Sequence, residues 1–366
     1  MPLLVNSSLP AEDFFPDHYQ AARERWLTGL HNIPSCSERR DFPVPGQSPQ
    51  GGGLHTDCAW LGARAASHVL VLIGGTHGIE GFTGSAVLLD LLTRLPAQLP
   101  ESLAILCVHA LNPWGYAWQR RCDAEGIDLN RNFIDFSQPL PANPGYRELR
   151  AALFDEDTAR RQQVLEHYRR QHGQTAYEIA VSGGQYADPV GPFFGGTAPA
   201  HGRRTIETLI HDFRLAQRRL AVIDVHTGLG AYGYGEIICD HAPDSAGAAT
   251  ARAWYGAECT LPALGTSSSV PKLGLLDYAW HAIMQAESCF ITLEFGTLPT
   301  ENLFDVLLRD HRFRARHGTQ PVDHPDFPAL VDALRAHFCP SDPDWRSQVL
   351  QRARTVTDRA LEGLLS

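Results

Sequence analysis

His77 and Glu80 stand three residues apart on a glycine-rich turn, Gly74-Gly-Thr-His-Gly-Ile-Glu-Gly81. An imidazole and a carboxylate so spaced are two thirds of the protein ligand set of a catalytic zinc. Taken alone, the pair is equally a loop histidine beside an exposed glutamate. His226, in Ile223-Asp-Val-His-Thr-Gly228, supplies the missing donor. A single histidine at a strand end is usually structural, but with His77 and Glu80 it completes a His₂Glu set that leaves a coordination position open. Glu294 interrupts the apolar run Phe290-Ile-Thr-Leu-Glu-Phe-Gly296. Burying that charge unpaired would be costly. It is either an edge residue facing water or the base that takes a proton from water and hands it to a leaving amine.

The elements that carry these residues read as alternating strands and helices. Val69–Ile73 is too short for a helix with a solvated face and is rich in β-branched residues, so it reads as a buried strand. Helical spacing follows from Phe82 to Leu95, placing His77 and Glu80 in the crevice at a strand's carboxyl end, where open α/β sheets put their ligands. Further strands are expected at Leu103–Ala110, Leu220–Val225 and Phe290–Phe295. Further helices are expected at Pro16–Leu30, Pro144–Gln171, Thr205–Arg219, Pro271–Ala286, 328–338 and 345–365. Residues 40–57, with three prolines and Gly51-Gly-Gly53, read as turns and loop. Gly183–Gly196 reads as a Gly/aromatic loop. The pattern predicts one three-layer α/β/α sandwich over residues 1–366, with a mixed, mostly parallel central sheet. Residues 135–205 form an elaboration of it.

The 366 residues are 43% hydrophobic and 20% charged, enough for a sizeable core. A net charge of −10 argues against a nucleic-acid surface or a polybasic membrane patch. No apolar run is long enough to span a membrane. The amino-terminal residues lack the pattern of a secretory signal, which weakens the Asn6-Ser7-Ser8 sequon. The eight cysteines are scattered and several lie in apolar runs (Cys107, Cys239, Cys289), so they are expected to be reduced core residues of a cytoplasmic protein.

In their order, these motifs resemble the zinc carboxypeptidase superfamily. The resemblance spans roughly residues 68–297: His-x-x-Glu, then Asn112-Pro-Trp-Gly115, then Arg121-Cys-Asp-Ala-Glu-Gly-Ile-Asp-Leu-Asn-Arg-Asn-Phe133, a distant histidine and a late glutamate. Gly184-Gln-Tyr-Ala-Asp-Pro189, Phe193-Phe-Gly-Gly196 and His226–Glu236 are similar to a bacterial branch of it known as a domain of unknown function. The resemblance implies that His77, Glu80 and His226 ligate one Zn²⁺ and that Glu294 is general base and acid. It implies that Arg121 stabilises the oxyanion and that Asn130 and Arg131 hold a substrate carboxylate, the arginine by a two-pronged bond that lysine could not copy. Asp128 would orient a histidine ligand. The bland alternatives are surface charges for Arg120 and Arg121 and a capped turn for Asn130–Asn132. Two departures stand out. Trp114 replaces the family's aspartate in Asn-Pro-Asp-Gly, and the tyrosine that caps the substrate terminus is assigned only to Tyr278, whose alternative is a helix core residue.

The implied reaction is hydrolysis of an amide beside a free carboxylate. A metallo-carboxypeptidase is the preferred reading, on the peptidase form of the Asn-Pro-x-Gly and Asp-x-Asn-Arg-Asn motifs. An aspartoacylase-like deacylase of small N-acyl amino acids needs the same residues and is the alternative. A non-catalytic binding protein should have lost a ligand or the base, and neither is missing. Ser269-Val-Pro-Lys272 matches Ser-x-x-Lys without that motif's partners, and the turn at 74–81 fits no nucleotide loop. A second metal using Asp224 or Asp240, and a homo-oligomer, stay open.

Overall fold

Among the described residues, eight strands form one sheet: β1 (Cys36–Gln47), β2 (Gly53–Gly62), β3 (His68–Gly74), β4 (Leu103–His109), β5 (Arg219–Thr227), β6 (Gly235–Ile238), β7 (Cys259–Thr260) and β8 (Cys289–Phe295). The computed structural model describes residues 3–5, 9–318 and 320–366; the Asn6-Ser7-Ser8 sequon lies outside them. The strand order is β1-β2-β4-β3-β5-β8-β6-β7. β4, β3, β5 and β8 run parallel at the centre, and the pairs β1–β2, β2–β4 and β6–β8 are antiparallel. The result is the mixed, mostly parallel α/β sheet expected.

Alternation along each central strand divides the core in two. Leu70 and Leu72 of β3, Ile105 of β4 and Ile223 of β5 pack on one side with Trp26, Phe82 and Trp345. Val69, Val71 and Ile73, with Leu106 and Val222, pack on the other with Ile206, Leu209 and Trp280. Both faces are covered, which is why these strands are continuously apolar in sequence.

The helices are α1 (Tyr19–His31), α2 (Gly81–Arg94), α3 (Pro113–Ala117), α4 (Pro144–Leu153), α5 (Thr158–His172), α6 (Gln174–Ser182), α7 (His201–Asp212), α8 (Ala246–Tyr255), α9 (Asp277–His281), α10 (Thr300–His317), α11 (Phe327–Phe338) and α12 (Pro343–Leu365). None among the described residues is long and apolar enough to cross a membrane. All eight cysteines are free, seven of them buried.

Two expectations fail. Residues 40–57 belong to the β1–β2 hairpin. Pro43 and Pro45 are accommodated because β1 is an edge strand, where a missing N–H need not break the sheet. The helix expected at 271–286 shrinks to α9; at its start, Gly274 adopts a φ of +70° that no helix allows. Conversely α6, α8, α10, β6 and β7 were not anticipated.

The turn after β3 is shaped by contact with α3. A Cβ on Gly78 would lie 2.0 Å from the carbonyl carbon of Gly115. Gly78 and Ile79 also donate their N–H groups to the carbonyls of Arg121 (3.1 Å) and Arg120 (2.7 Å). Gly78 has no unusual φ, so the requirement is for space. Gly78→Ala should therefore lower stability by at least ~2 kcal/mol, seen as a lower urea midpoint at unchanged slope.

Candidate metal centre and cleft

Three strand ends build the site. His77 caps a short 3₁₀ turn, Gly78–Glu80, that follows β3 and leads into α2. His226 lies near the end of β5, and its Cα partner on β8 is Glu294. Sheet register therefore places the third donor beside the candidate base.

His77 Nδ1 is 2.8 Å from Glu80 Oε1 and 3.1 Å from His226 Nδ1, which is itself 3.0 Å from Glu80 Oε2. Donors sharing one tetrahedral ion at roughly 2.0–2.1 Å stand about 3.3 Å apart, so these three residues fit a single zinc-sized cation. All three are buried, and among the described residues they are the one group of three or more donors that converges in this way. The other nitrogen of each imidazole meets a carboxylate: His77 Nε2 lies 3.1 Å from Asp128 Oδ1, and His226 Nε2 lies 2.6 Å from Asp224 Oδ2. Both rings thereby present Nδ1 to the common point. Asp224 is further held by the Thr76 hydroxyl at 2.8 Å, so it supports the histidine.

Electrostatics follow from this packing. Burial alone would raise the Glu80 carboxyl, but His77 and His226 pull it well below the usual carboxylate range. Burial likewise opposes ionisation of Asp128, and Arg121 with His77 overcomes it. Arg121 donates from Nε to Asp128 Oδ2 (2.9 Å) and from Nη1 to Glu80 Oε1 (3.2 Å). Glu294 is different. Burial, reinforced by the Glu80 charge, pushes it up to about 7, and one hydrogen bond, from the Leu229 N–H to Oε1 at 3.0 Å, fixes it. A carboxyl poised near neutrality is suited to taking up and releasing a proton.

His77, Arg121, Asn130, Arg131, His226 and Glu294 all line one cleft. Asn130 Oδ1 accepts from the Leu276 N–H at 2.8 Å, leaving its amide nitrogen available. Arg131 is fully buried, and its Nε and Nη2 both donate to the Ser182 carbonyl (3.1 and 2.8 Å). The two-pronged bond expected for substrate is thus made to the main chain of α6. Tyr278 stands apart: it is 39% exposed, donates to the Lys272 carbonyl at 3.3 Å, and is not among the residues lining the cleft. Ser269 and Lys272 are hydrogen-bonded, but on an irregular loop rather than at the helix start their motif requires.

Residues 135–205 reach the site through Ser182 and Phe193, among others. Phe193 lies under both guanidinium groups, 5.1 Å from Arg121 and 5.5 Å from Arg131. Its φ of +55° is a strained value for an aromatic residue. Arg120, whose alternative was a surface charge, is buried and paired with Asp310 of α10 at 2.8 Å; Asp310 also holds Arg314 at 2.6 Å. Trp114 is buried and stacks on Trp118. Sequence reading missed Asp277 and the α10 residues Leu303 and Phe304 as cleft residues. The helical spacing of Leu303, Leu307 and Phe304, Leu308 was the available signal for α10.

The family described as protein of unknown function (DUF2817) matches residues 15–352, and the chain belongs to it. This is the kind of branch that the motifs resembled. Murein peptide amidase A of Escherichia coli (strain K12) is 41% identical over 100 residues, 26% of this chain and 39% of that protein. The chain thus spans well under half the length of that curated relative. Among solved structures, it is similar to the carboxypeptidase A from Helicoverpa armigera (15% identity, 90% of this chain and 77% of that one, TM-score 0.46). It is also similar to the murein-tripeptide amidase MpaA from Escherichia coli O157 (18%, 93% and 100%, TM-score 0.38). An aspartoacylase family protein from Mesorhizobium loti is a third (15%, 76% and 66%, TM-score 0.37).

Because Asp128 holds both His77 and the Arg121 guanidinium, Asp128→Asn should lower stability by ~3 kcal/mol, seen as a lower urea midpoint, and should weaken binding of an added divalent cation ~10–100-fold in competition with a chromophoric chelator.

Proposed function

We propose that the chain is a zinc-dependent hydrolase that cleaves an amide bond beside a free carboxylate, of metallo-carboxypeptidase type. The observation that carries this reading is the convergence of His77, Glu80 and His226 beside Glu294, the carboxyl held near neutrality one strand away. The likeness to murein peptide amidase A, by its name an amidase acting on a peptide, supports a peptide or amide substrate.

His77, Glu80 and His226 would hold the zinc. When bound, it would supply a Lewis acid that polarises the amide carbonyl and acidifies a water. Glu294 Oε1 is held by the Leu229 N–H, so Oε2 takes the water proton and returns it to the leaving nitrogen. Arg121, fixed by Asp128 and Glu80, sets its guanidinium against the charge that develops on the carbonyl oxygen. Asn130 offers its amide nitrogen to the substrate carboxylate. Arg131 adds positive charge at the same end while its fork stays on the Ser182 carbonyl.

Glu294→Gln should keep its zinc, measured by elemental analysis, and lose ~10²–10⁴-fold in kcat. Survival of turnover would refute the base assignment. A chelator should abolish activity and added zinc restore it. Blocked dipeptides should be cleaved; deacylation of acetyl-aspartate with no dipeptide cleavage would instead favour the N-acyl-amino-acid deacylase.

A further inference from the structure

A second cavity, of about 570 Å³, backs onto the segment that carries Asp128. Ile127 and Leu129 line it, while Asn130 and Arg131 of the same segment line the cleft. Phe194 and Phe193 divide in the same way, and the Phe194 carbonyl accepts the Asp128 N–H at 2.8 Å. The volume is that of a small-molecule site, and no residue of the metal centre belongs to it.

Its polar groups are short of acceptors. Trp114 is 1% exposed and lines the cavity, and its Nε1 has no hydrogen-bond partner. A Cβ on Gly46 would stand 3.8 Å from that nitrogen, so this edge of the indole faces the β1 wall formed by Val44 and Pro45. The first turn of α7 lines the cavity too, and its N-cap, Ala200, has no side chain that could bond the free N–H groups. Arg204 of that turn is exposed, and no carboxylate among the described residues pairs with it. Two carboxyl groups line the same space. Glu125 is exposed, where water and salt screen it. Asp123 is buried, and burial, then the Glu125 charge, pushes it up to about 8, so it is an uncharged acid at neutral pH. Its Oδ1 accepts the N–H groups of Glu125 (3.1 Å) and Ile127 (2.8 Å), which leaves Oδ2 to carry the proton. Burial likewise pushes His201 down. The cavity thus gathers donors: an indole N–H, a helix N-terminus, a guanidinium and a carboxylic acid. A buried donor without an acceptor is costly, and a helix N-terminus favours an anion.

We infer that this cavity is a second ligand site, for a small apolar monocarboxylate. The first turn of α7 and Arg204 receive the charged group, and the Trp114 N–H is a further donor to the ligand. Leu111, Pro113, Leu129 and Phe194 cover its apolar body. Glu125 at the rim disfavours a doubly charged anion. Trp114 is the residue by which Asn112-Pro-Trp-Gly115 departs from the motif it resembles, and a carboxylate in its place would repel this ligand. The site stands whether or not the chain hydrolyses amides.

The test is calorimetric titration of the full chain with octanoate and with octanamide, which has the same length without the charge. Octanoate should bind at least about tenfold tighter. Ala198→Trp, at an exposed position on the cavity wall, should fill the space and remove that binding. Arg204→Gln, also at the surface, should weaken it about threefold or more, and Trp114→Phe about fivefold. Loss of binding in Ala198→Trp and Arg204→Gln, with the urea midpoint of each unchanged, supports the site even if Trp114→Phe fails to fold. Equal binding of octanoate and octanamide overturns it. So does octanoate binding that survives both surface substitutions, which would place the acid in the cleft. Displacement of octanoate by millimolar inorganic phosphate overturns the choice of a monocarboxylate.

Discussion

A carboxylate taken out of water must be paired, and the site is organised around how Glu80 meets that demand. Its two oxygens meet His77, His226, the Arg121 guanidinium and the Thr227 N–H. Those partners come from the turn after β3, the end of β5 and the 112–133 segment. Removing any one leaves a buried charge short of a partner, which costs more than the lost contact itself. Asp128 repeats the arrangement one shell out, joining His77 to Arg121. The elements around the metal centre are thus tied by charge as well as by apolar packing.

Legibility of the fold tracked burial. β3, β4, β5 and β8 are covered on both faces and announced themselves as uninterrupted apolar runs. The hairpin β1–β2 did not, because β1 is an edge strand of half-buried residues carrying Pro43 and Pro45. The chemistry of those residues is the chemistry of turns; only their neighbour in the sheet makes them a strand. Residues 271–286 failed in the opposite sense, since apolar spacing suggested one long helix and only α9 forms, with Gly274 outside it at a φ of +70°.

The site was legible where it depends on residue types at short spacing. His77, Glu80, Asp128, Arg121 and His226 meet in space because two strand ends and one loop bring them together. What could not be read was the use of hydrogen bonds. Nothing in Asn130-Arg131 says that the arginine fork would close on the Ser182 carbonyl, and nothing in Asp277-Tyr278 says that the aspartate would turn inward and the tyrosine outward. Those outcomes depend on α6 and α9, whose positions follow from long-range packing.

The Arg120–Asp310–Arg314 cluster ties the first turn of chemistry to a helix far along the chain. The Arg120 carbonyl receives the Ile79 N–H, between His77 and Glu80, while α10 also contributes Leu303 and Phe304 to the cleft wall. One rigid rod therefore serves both the ligand loop and the wall that substrate meets. Wall and loop are thus mechanically joined: any change in α10 that moves Asp310 also moves Arg120, and with it the carbonyl that holds the turn between His77 and Glu80.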